Sequence, residues 1–449
     1  MTTPIAARRR GAEWWLGFLA VLMTAGGFVL VLLSREAKTA QGGVRSSLPP
    51  DLWVYLAAMC GLFVGASLAV RKFAPQADST LLPLALGLNG IGWVFITRLA
   101  PDVQRLYGEA RDLGRVQAAW TAIGLLAFVA TLALVRHTRT LERFRYTLLL
   151  VGVLTLALPV VPGIGSSQGG ARLWVQIGPV GFQPGEVAKV LLILFLAAYL
   201  VDKRELLATS TRRLGPISVP DPKHLGPLIL IWVISLGVLI FEKDLGSSLL
   251  FFSVFVSMVY VATGRSVYPI IGFLLFAIGA YVSYRAFGHV RIRVETWLDP
   301  RKDPQNHGYQ LLQSLFSFGT GGFSGTGLGL GTSAKIPAPA SDFIFAAVGE
   351  EIGFLGTTAL IMMFMLLVGS AFRIAVRSDR PFSQLLASGL AAALGIQTFL
   401  IVGGVTRVIP LTGITLPFVS YGGSSLVANY VILALLLRMS DETAKAQPR

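Results

Sequence analysis

The sequence predicts an all-α polytopic membrane protein of about twelve transmembrane helices, and three observations carry that prediction. The 449 residues are 54% hydrophobic and only 14% charged, with a mean hydropathy of +0.68. Uncharged runs such as 14–33, 53–70 and 117–135 are each long enough to cross a hydrocarbon core of roughly 30 Å. None of the runs alternates in the period-two manner of a membrane β-barrel.

In chain order the apolar segments are 14–33, 53–70, 80–98, 117–135, 146–162, 186–201, 227–241, 247–262, 267–286, 344–372, 383–403 and 417–437. The first follows "ARRR" as a signal peptide would. It is longer than a secretory apolar region and no Ala-x-Ala site ends it, so it reads as a retained span. Segments 227–241 and 247–262 flank "EKDLG" and form a tight hairpin. Cys60 is the single cysteine, which excludes an intrachain disulfide.

Lys and Arg set the orientation. With the N-terminus cytoplasmic, the inner segments hold 21 Lys/Arg against 9 Asp/Glu, and the remaining 17 and 14 lie in spans and outer loops. Both termini are therefore expected inside the cell membrane. The net charge of +15 sits in short inter-span loops, which argues against a nucleic-acid partner. Residues 288–343 become one large extracytoplasmic loop, and 163–183 lies on the same side; both are rich in Gly, polar and aromatic residues.

Ionisable residues at membrane depth are functional candidates by default, and three clusters qualify. In "FQPGEVAK" (182–189), Pro184 suits a helix start, Glu186 falls in the first turn and Lys189 is within reach of it. An intrahelical ion pair and a polar lining for an anionic headgroup are equally good readings. In "FEKDLGSS" (241–248), Asp244 caps the next helix, or Lys243 and Asp244 face a cavity. The third cluster is "WLDPRKDPQNHGYQ" (297–310) with Arg291 and Arg293 before it. Each proline biases the preceding aspartate to extended backbone, and Arg291, Arg293, Arg301 and Lys302 are expected to surround the carboxylate of Asp299 or Asp303. A general base among cations suits substitution at a sugar phosphate. A glycosidase needs two carboxylates flanking one bond.

No metal-ligand spacing links His137, His224, His289 and His307. "GTGGFSGTGLGLG" (319–331) lacks the strand and Gly-Lys-Ser/Thr of a phosphate loop and reads as a flexible, close-packing outer segment. "GASLA" (65–69) is a lone small-residue motif.

Five ordered motifs, "GGARLWVQIGPVGFQPGEVAKV", "KDLGSS", "WLDPRKDPQNHGYQLLQS", "SDFIFAAVGEEIGFLG" and "PLTGITLPFVSYGGSS", closely resemble the SEDS family (shape, elongation, division and sporulation proteins, of RodA and FtsW type). The resemblance covers residues 145–438. It implies a ten-helix core plus two extra N-terminal helices, with helices 1–144 including that two-helix extension, the catalytic core over 145–438, and a short cytoplasmic tail, 439–449. It also implies a peptidoglycan glycosyltransferase that polymerises lipid II at the outer face of the membrane beside a class B penicillin-binding protein, the transpeptidase. By the resemblance Asp303 is the catalytic base. Substrate binding falls to Arg172, Trp174, Glu186, Lys189, Lys243, Asp244, Arg291, Arg293, Tyr309, Gln310, Ser420 and Ser424. No cofactor is implied; a divalent cation is left open. Gly185 stands where the family usually has Ser, and Leu173 where Arg is common. "VTRVIPLTG" (405–413) points to the elongation branch. A lipid II flippase, an O-antigen-type ligase and a scaffold are the competing functions, and Asp303 discriminates among them.

Overall fold

The computed structural model describes residues 4–39, 50–108, 112–168, 171–178, 180–209, 211–214, 217–220 and 244–446, with isolated helical positions 233 and 237. Ten helices among these residues are long and apolar enough to cross a membrane, and a shorter apolar helix covers Arg145–Val160. The expected span 227–241 and Lys243 lie outside the described residues. The protein is a multi-pass, helical membrane protein.

The chain forms two compact units. The first contains residues 1–136, 295–370 and 401–449. Its centre is α3 (Leu81–Tyr107), which ends on Gly108 in the left-handed conformation, a backbone open to glycine at no cost. Helices α1 (Pro4–Thr39) and α2 (Pro50–Phe73) lean on α3 through aromatic rings. Phe28 stacks on Tyr55 at 5.1 Å, and the Trp93 indole meets both rings edge-on at 5.4 and 5.5 Å. Each such pair contributes about 0.5–1.5 kcal/mol beyond its buried area. α4 (Leu113–Leu134) starts on Asp112, whose side chain accepts from the Gly114 and Arg115 amides. Across it packs the helix Gly423–Ala446. Small residues permit that approach: a Cβ on Gly124 would meet the Tyr430 ring at 2.5 Å, and one on Gly423 the Trp120 indole at 2.0 Å.

The second unit contains residues 137–294 and 371–400. It holds α5 (Thr138–Arg143), α6 (Arg145–Ala157), α7 (Pro184–Thr209), α8 (Leu245–Thr263) and α9 (Val267–Ala286). Between α6 and α7 lies a three-stranded antiparallel sheet, β1 (Gly165–Gln168), β2 (Ala171–Ile177) and β3 (Val180–Phe182). Trp174 is registered opposite Ser166, and Val175 opposite Phe182. A second hairpin, β4 (Thr211–Leu214) and β5 (Ile217–Pro220), follows α7.

Three expectations change. The segment 288–343, expected as one large extracytoplasmic loop, contains two helices, α10 (Gly288–Leu298) and α11 (Tyr309–Gly321). The apolar run 344–372 is two helices, α12 (Ile344–Glu351) and α13 (Gly353–Arg377). The break falls at Gly353, whose φ is +72° and whose missing Cβ makes room for the Gly325 amide nitrogen, 2.3 Å from where that atom would stand. The last span starts six residues later than the apolar run, at Gly423, and is α15 (Gly423–Ala446), following α14 (Pro381–Val405). Pro410, Pro417 and the left-handed residues Arg407, Gly413 and Phe418 keep the intervening 406–422 out of a helix.

Candidate functional site

In the first unit the candidate site is organised around Asp303. Helix α10 ends at Leu298, and Asp299 caps a single 3₁₀ turn, Pro300–Lys302, by accepting from the Arg301 amide at 3.1 Å. Asp303 follows. One carboxylate oxygen accepts from the Asn306 side-chain amide at 3.0 Å, the other from the His307 backbone N–H at 3.3 Å. The Asp303 carbonyl accepts from the Gly308 amide at 2.9 Å. A Cβ on Gly308 would fall 1.9 Å from the Pro300 carbonyl oxygen, so the loop closes only over a glycine. The Asn306 hydrogen bond, with help from the His307 amide and imidazole, holds the carboxyl below its ordinary value of 3.8. Asp303 is therefore an ionised, half-exposed carboxylate in a fixed orientation.

The contacts that fix the Asp303 carboxylate are amide hydrogen bonds. Among the described residues no guanidinium or ammonium pairs with it, and Arg301 and Lys302 are exposed. Neutral amide donors take that place because the turn wraps its own amides around the carboxylate. Arg291 lies with its guanidinium 5.7 Å from the Tyr284 ring.

Arg407 carries no local sequence signal of its role. It sits at φ +62° in the non-helical segment before α15, and its guanidinium Nε donates to the Trp297 carbonyl at 2.8 Å. The guanidinium also donates to the Leu298 carbonyl. In return the Trp297 indole donates to the Arg407 carbonyl at 3.1 Å. These bonds satisfy the carbonyls that a helix end leaves open and fix the point from which the Asp303 loop departs. Downstream, Tyr309 donates to the Lys335 carbonyl at 3.4 Å, and Gln310 follows it in the first turn of α11, half-buried.

Glu350 and Glu351 anchor the glycine-rich segment. Glu350 accepts from Ser317 Oγ at 2.9 Å and from the Thr332 amide at 2.7 Å. Glu351 accepts from Arg98 Nε at 2.7 Å and from the Gly329 amide at 2.8 Å. Burial raises the Glu351 carboxyl although Arg98 opposes it. The segment 319–331 is thus tied down by buried carboxylates, which corrects the expectation of a flexible loop. Ser420 is buried; its hydroxyl donates to the Ser341 carbonyl and accepts from the Leu416 amide. Ser420 thus joins its own turn to the distant segment at Ser341, and Ser424 is buried as well.

The second unit gathers a separate polar cluster. Lys189 Nζ donates to Glu186 at 2.8 Å and to Gln397 Oε1 at 2.8 Å, with both ionised side chains largely buried. Asp244 caps α8 by accepting from the Ser247 amide at 2.9 Å and from the Ser247 hydroxyl. Burial raises the Asp244 carboxyl, Ser247 and the charge of Arg293 oppose the rise, and Glu186 adds to it. The charges of Glu186 and Arg293 thus act on Asp244, whose hydrogen bonds are those of the helix cap. Gln397 joins the cluster from far along the chain. Trp174 is half-buried on β2 beside Gly181, and Arg172 is exposed. Among the described residues no group of three or more His, Cys, Asp or Glu is placed to hold a metal ion.

Comparison with known proteins places this geometry. The peptidoglycan glycosyltransferase RodA of Mycobacterium tuberculosis is 45% identical over 442 residues, covering 98% of this chain and 92% of the relative. A probable peptidoglycan glycosyltransferase FtsW of Allochromatium vinosum is 33% identical, covering 82% and 91%. A solved structure described as a peptidoglycan synthase complex that coordinates polymerisation and crosslinking matches with a TM-score of 0.65 at 28% identity, over 82% of this chain and 98% of that one. The crystal structure of the Thermus thermophilus rod shape determining protein RodA matches with a TM-score of 0.57 at 26% identity, over 83% and 98%. The family model for cell cycle proteins of the FtsW, RodA and SpoVE type matches residues 79–445. The chain belongs to that family, the one its five motifs resemble.

Proposed function

We propose that this protein is a peptidoglycan glycosyltransferase of the elongation type, polymerising lipid II with a class B penicillin-binding protein as its transpeptidase partner. The observation that carries the reading is the Asp303 carboxylate, ionised and held in one orientation by Asn306 and the His307 amide. In the reaction, Asp303 takes the proton from the 4-hydroxyl of the acceptor GlcNAc. The freed oxygen forms a bond to the donor MurNAc anomeric carbon as the bond to the undecaprenyl pyrophosphate breaks. Attack from the opposite face inverts the centre, giving a β-1,4 link from an α-linked donor.

The leaving diphosphate carries negative charge, and cations stabilise it as it departs. Lys189, Arg291 or Arg293 takes that task, Lys189 being oriented by Glu186 and Gln397. Trp174 and Tyr309 are assigned to the sugar faces. The charge bias of the loops supports cytoplasmic termini and an extracytoplasmic Asp303.

The test is polymerisation of purified lipid II by wild type and Asp303→Asn, each with the partner transpeptidase. General-base removal costs on the order of 10²–10⁴-fold in rate. Glycan strands made by Asp303→Asn at near wild-type rate would remove Asp303 from the chemistry, and lipid II translocation without polymer would replace the enzyme by a transporter.

A further inference from the structure

In the second unit, a cavity of about 840 Å³ is lined by Arg139, Arg143, Arg145, Arg380, His137 and one carboxylate, Glu142. Arg139 and Arg143 are four residues apart on α5, hence neighbours on one helical face. Arg145 opens α6 and is ion-paired to Asp202 of α7. Arg380 comes from a distant segment, immediately before α14. The Thr138 and Ser383 hydroxyls, 3.3 Å apart and buried, join those two segments. The arginines are thus gathered around one concavity by packed helices.

A surplus of cytoplasmic Arg is ordinary in membrane proteins and accounts for the sign of the charge. It does not account for four guanidinium groups from α5, α6 and the α14 entry sharing one cavity with a single acid. A concave site with a surplus of one sign focuses its potential, here Arg139, Arg143 and Arg380 against Glu142, with Arg145 paired to Asp202. The planar guanidinium fork matches the oxygens of a phosphoryl group.

Beside the pocket lies an apolar stripe that suits acyl chains. Tyr146, Leu150 and Leu154 are 63%, 59% and 58% exposed. Spaced four apart on α6, they make one outward row that begins where the pocket stops. The Arg145 guanidinium lies 5.2 Å from the Tyr146 ring, bridging charge and stripe. Tyrosine at the end of a lipid-facing helix is the usual occupant of the headgroup level.

We propose that this pocket is a phosphoryl-binding site that takes the headgroup of an anionic membrane lipid, with the acyl chains lying along Tyr146, Leu150 and Leu154. The site does not involve Asp303 and does not depend on the glycosyltransferase reading. A lipid bound here ties α5, α6 and the start of α14 together.

The test uses the full-length protein in nanodiscs of phosphatidylcholine titrated with phosphatidylglycerol, reading lipid retained by native mass spectrometry and Tm. Arg139→Gln/Arg143→Gln is expected to lower the apparent affinity for phosphatidylglycerol about 30-fold, each surface cation being worth roughly fivefold. Arg380→Gln alone is expected to cost about fivefold, and a control pair on α13 that does not line the pocket, Arg373→Gln/Arg377→Gln, clearly less than the pocket pair. All these arginines are exposed, and an unchanged Tm in pure phosphatidylcholine verifies that the variants fold. A second arm adds inorganic pyrophosphate to the protein in detergent. A Tm rise lost in Arg139→Gln/Arg143→Gln, without a preference for phosphatidylglycerol, keeps the phosphoryl site and assigns its ligand to the aqueous phase. Equal losses in the pocket and control pairs overturn the proposal. So does a response to poly-glutamate peptide with none to either phosphoryl ligand.

Discussion

Arg407 and Trp297 hold each other across more than a hundred residues: the guanidinium donates to the Trp297 carbonyl at 2.8 Å, and the indole donates back to the Arg407 carbonyl at 3.1 Å. This exchange closes α10 directly upstream of Asp299 and Asp303. The left-handed φ of Arg407 is a conformation that non-glycine residues adopt at a cost. Arg407→Gly relieves the backbone while it removes the guanidinium, so the two effects on stability oppose each other and the loss of the clamp is read in activity. Lipid II polymerisation is expected to fall by about tenfold or more, as loss of a charged hydrogen bond costs roughly 1.5–3 kcal/mol, while Tm moves little. An Arg407→Gly protein with full activity would show that the clamp does not position the loop.

Asp303 titrates below its ordinary 3.8 because Asn306 donates to the ionised form. The deprotonated carboxylate, the form a general base needs, therefore persists as pH falls through the usual aspartate range. Asn306→Ala removes the largest lowering influence, so the acid limb of the kcat/KM profile is expected to move to higher pH. A limb that stays in place, or moves down, contradicts the hydrogen bond's role.

The buried pair Glu186–Lys189 gives a stability prediction. Lys189→Met leaves the Glu186 carboxylate without its cation in a site where the two side chains are 12% and 4% exposed. Breaking one side of a buried pair costs about 3–5 kcal/mol, whereas replacing both partners is often near neutral. Thermal unfolding in detergent is expected to show a large Tm loss for Lys189→Met and recovery of much of it in Glu186→Gln/Lys189→Met.

Gly92 gives a packing prediction in the first unit. A Cβ there would stand 2.2 Å from the Val419 carbonyl oxygen, and backbone cannot yield as a flexible side chain can. Gly92→Ala is expected to lower stability by about 1–3 kcal/mol, measured as a Tm drop, whereas Gly26→Ala, with nothing within 4 Å, leaves Tm unchanged.

Much of this was legible in the residues. Apolar length alone located nearly every described span, because a bilayer imposes a minimum run. The Glu186–Lys189 bond was legible because three residues apart on a helix is a contact. Long-range partners were not. Gln397 reaches Lys189 from 208 positions away and Arg407 reaches Trp297 from 110, and no local pattern encodes such pairs. The sheet at 165–182 escaped although β2 alternates, because its partners β1 and β3 are only 4 and 3 residues long and carry no strand pattern. The break at Gly353 was hidden in an unbroken apolar run, where hydropathy has no signal for a left-handed glycine. The amides that hold Asp303, from Asn306 and His307, were not legible either, because the turn that aims them at the carboxylate has no pattern in the residues.

The rings of Phe28, Tyr55 and Trp93 bear on how the protein can be shortened. The region shared with the wider family opens at residue 79, between the first two helices and the third, so a trimmed enzyme starting there looks natural on an alignment. Such a cut would strip Trp93 of both aromatic neighbours and leave the flank of the central helix facing acyl chains that cannot reproduce edge-to-face contact. The first two helices are a fitted cover, and a minimal catalytic fragment needs them or a substitute for them.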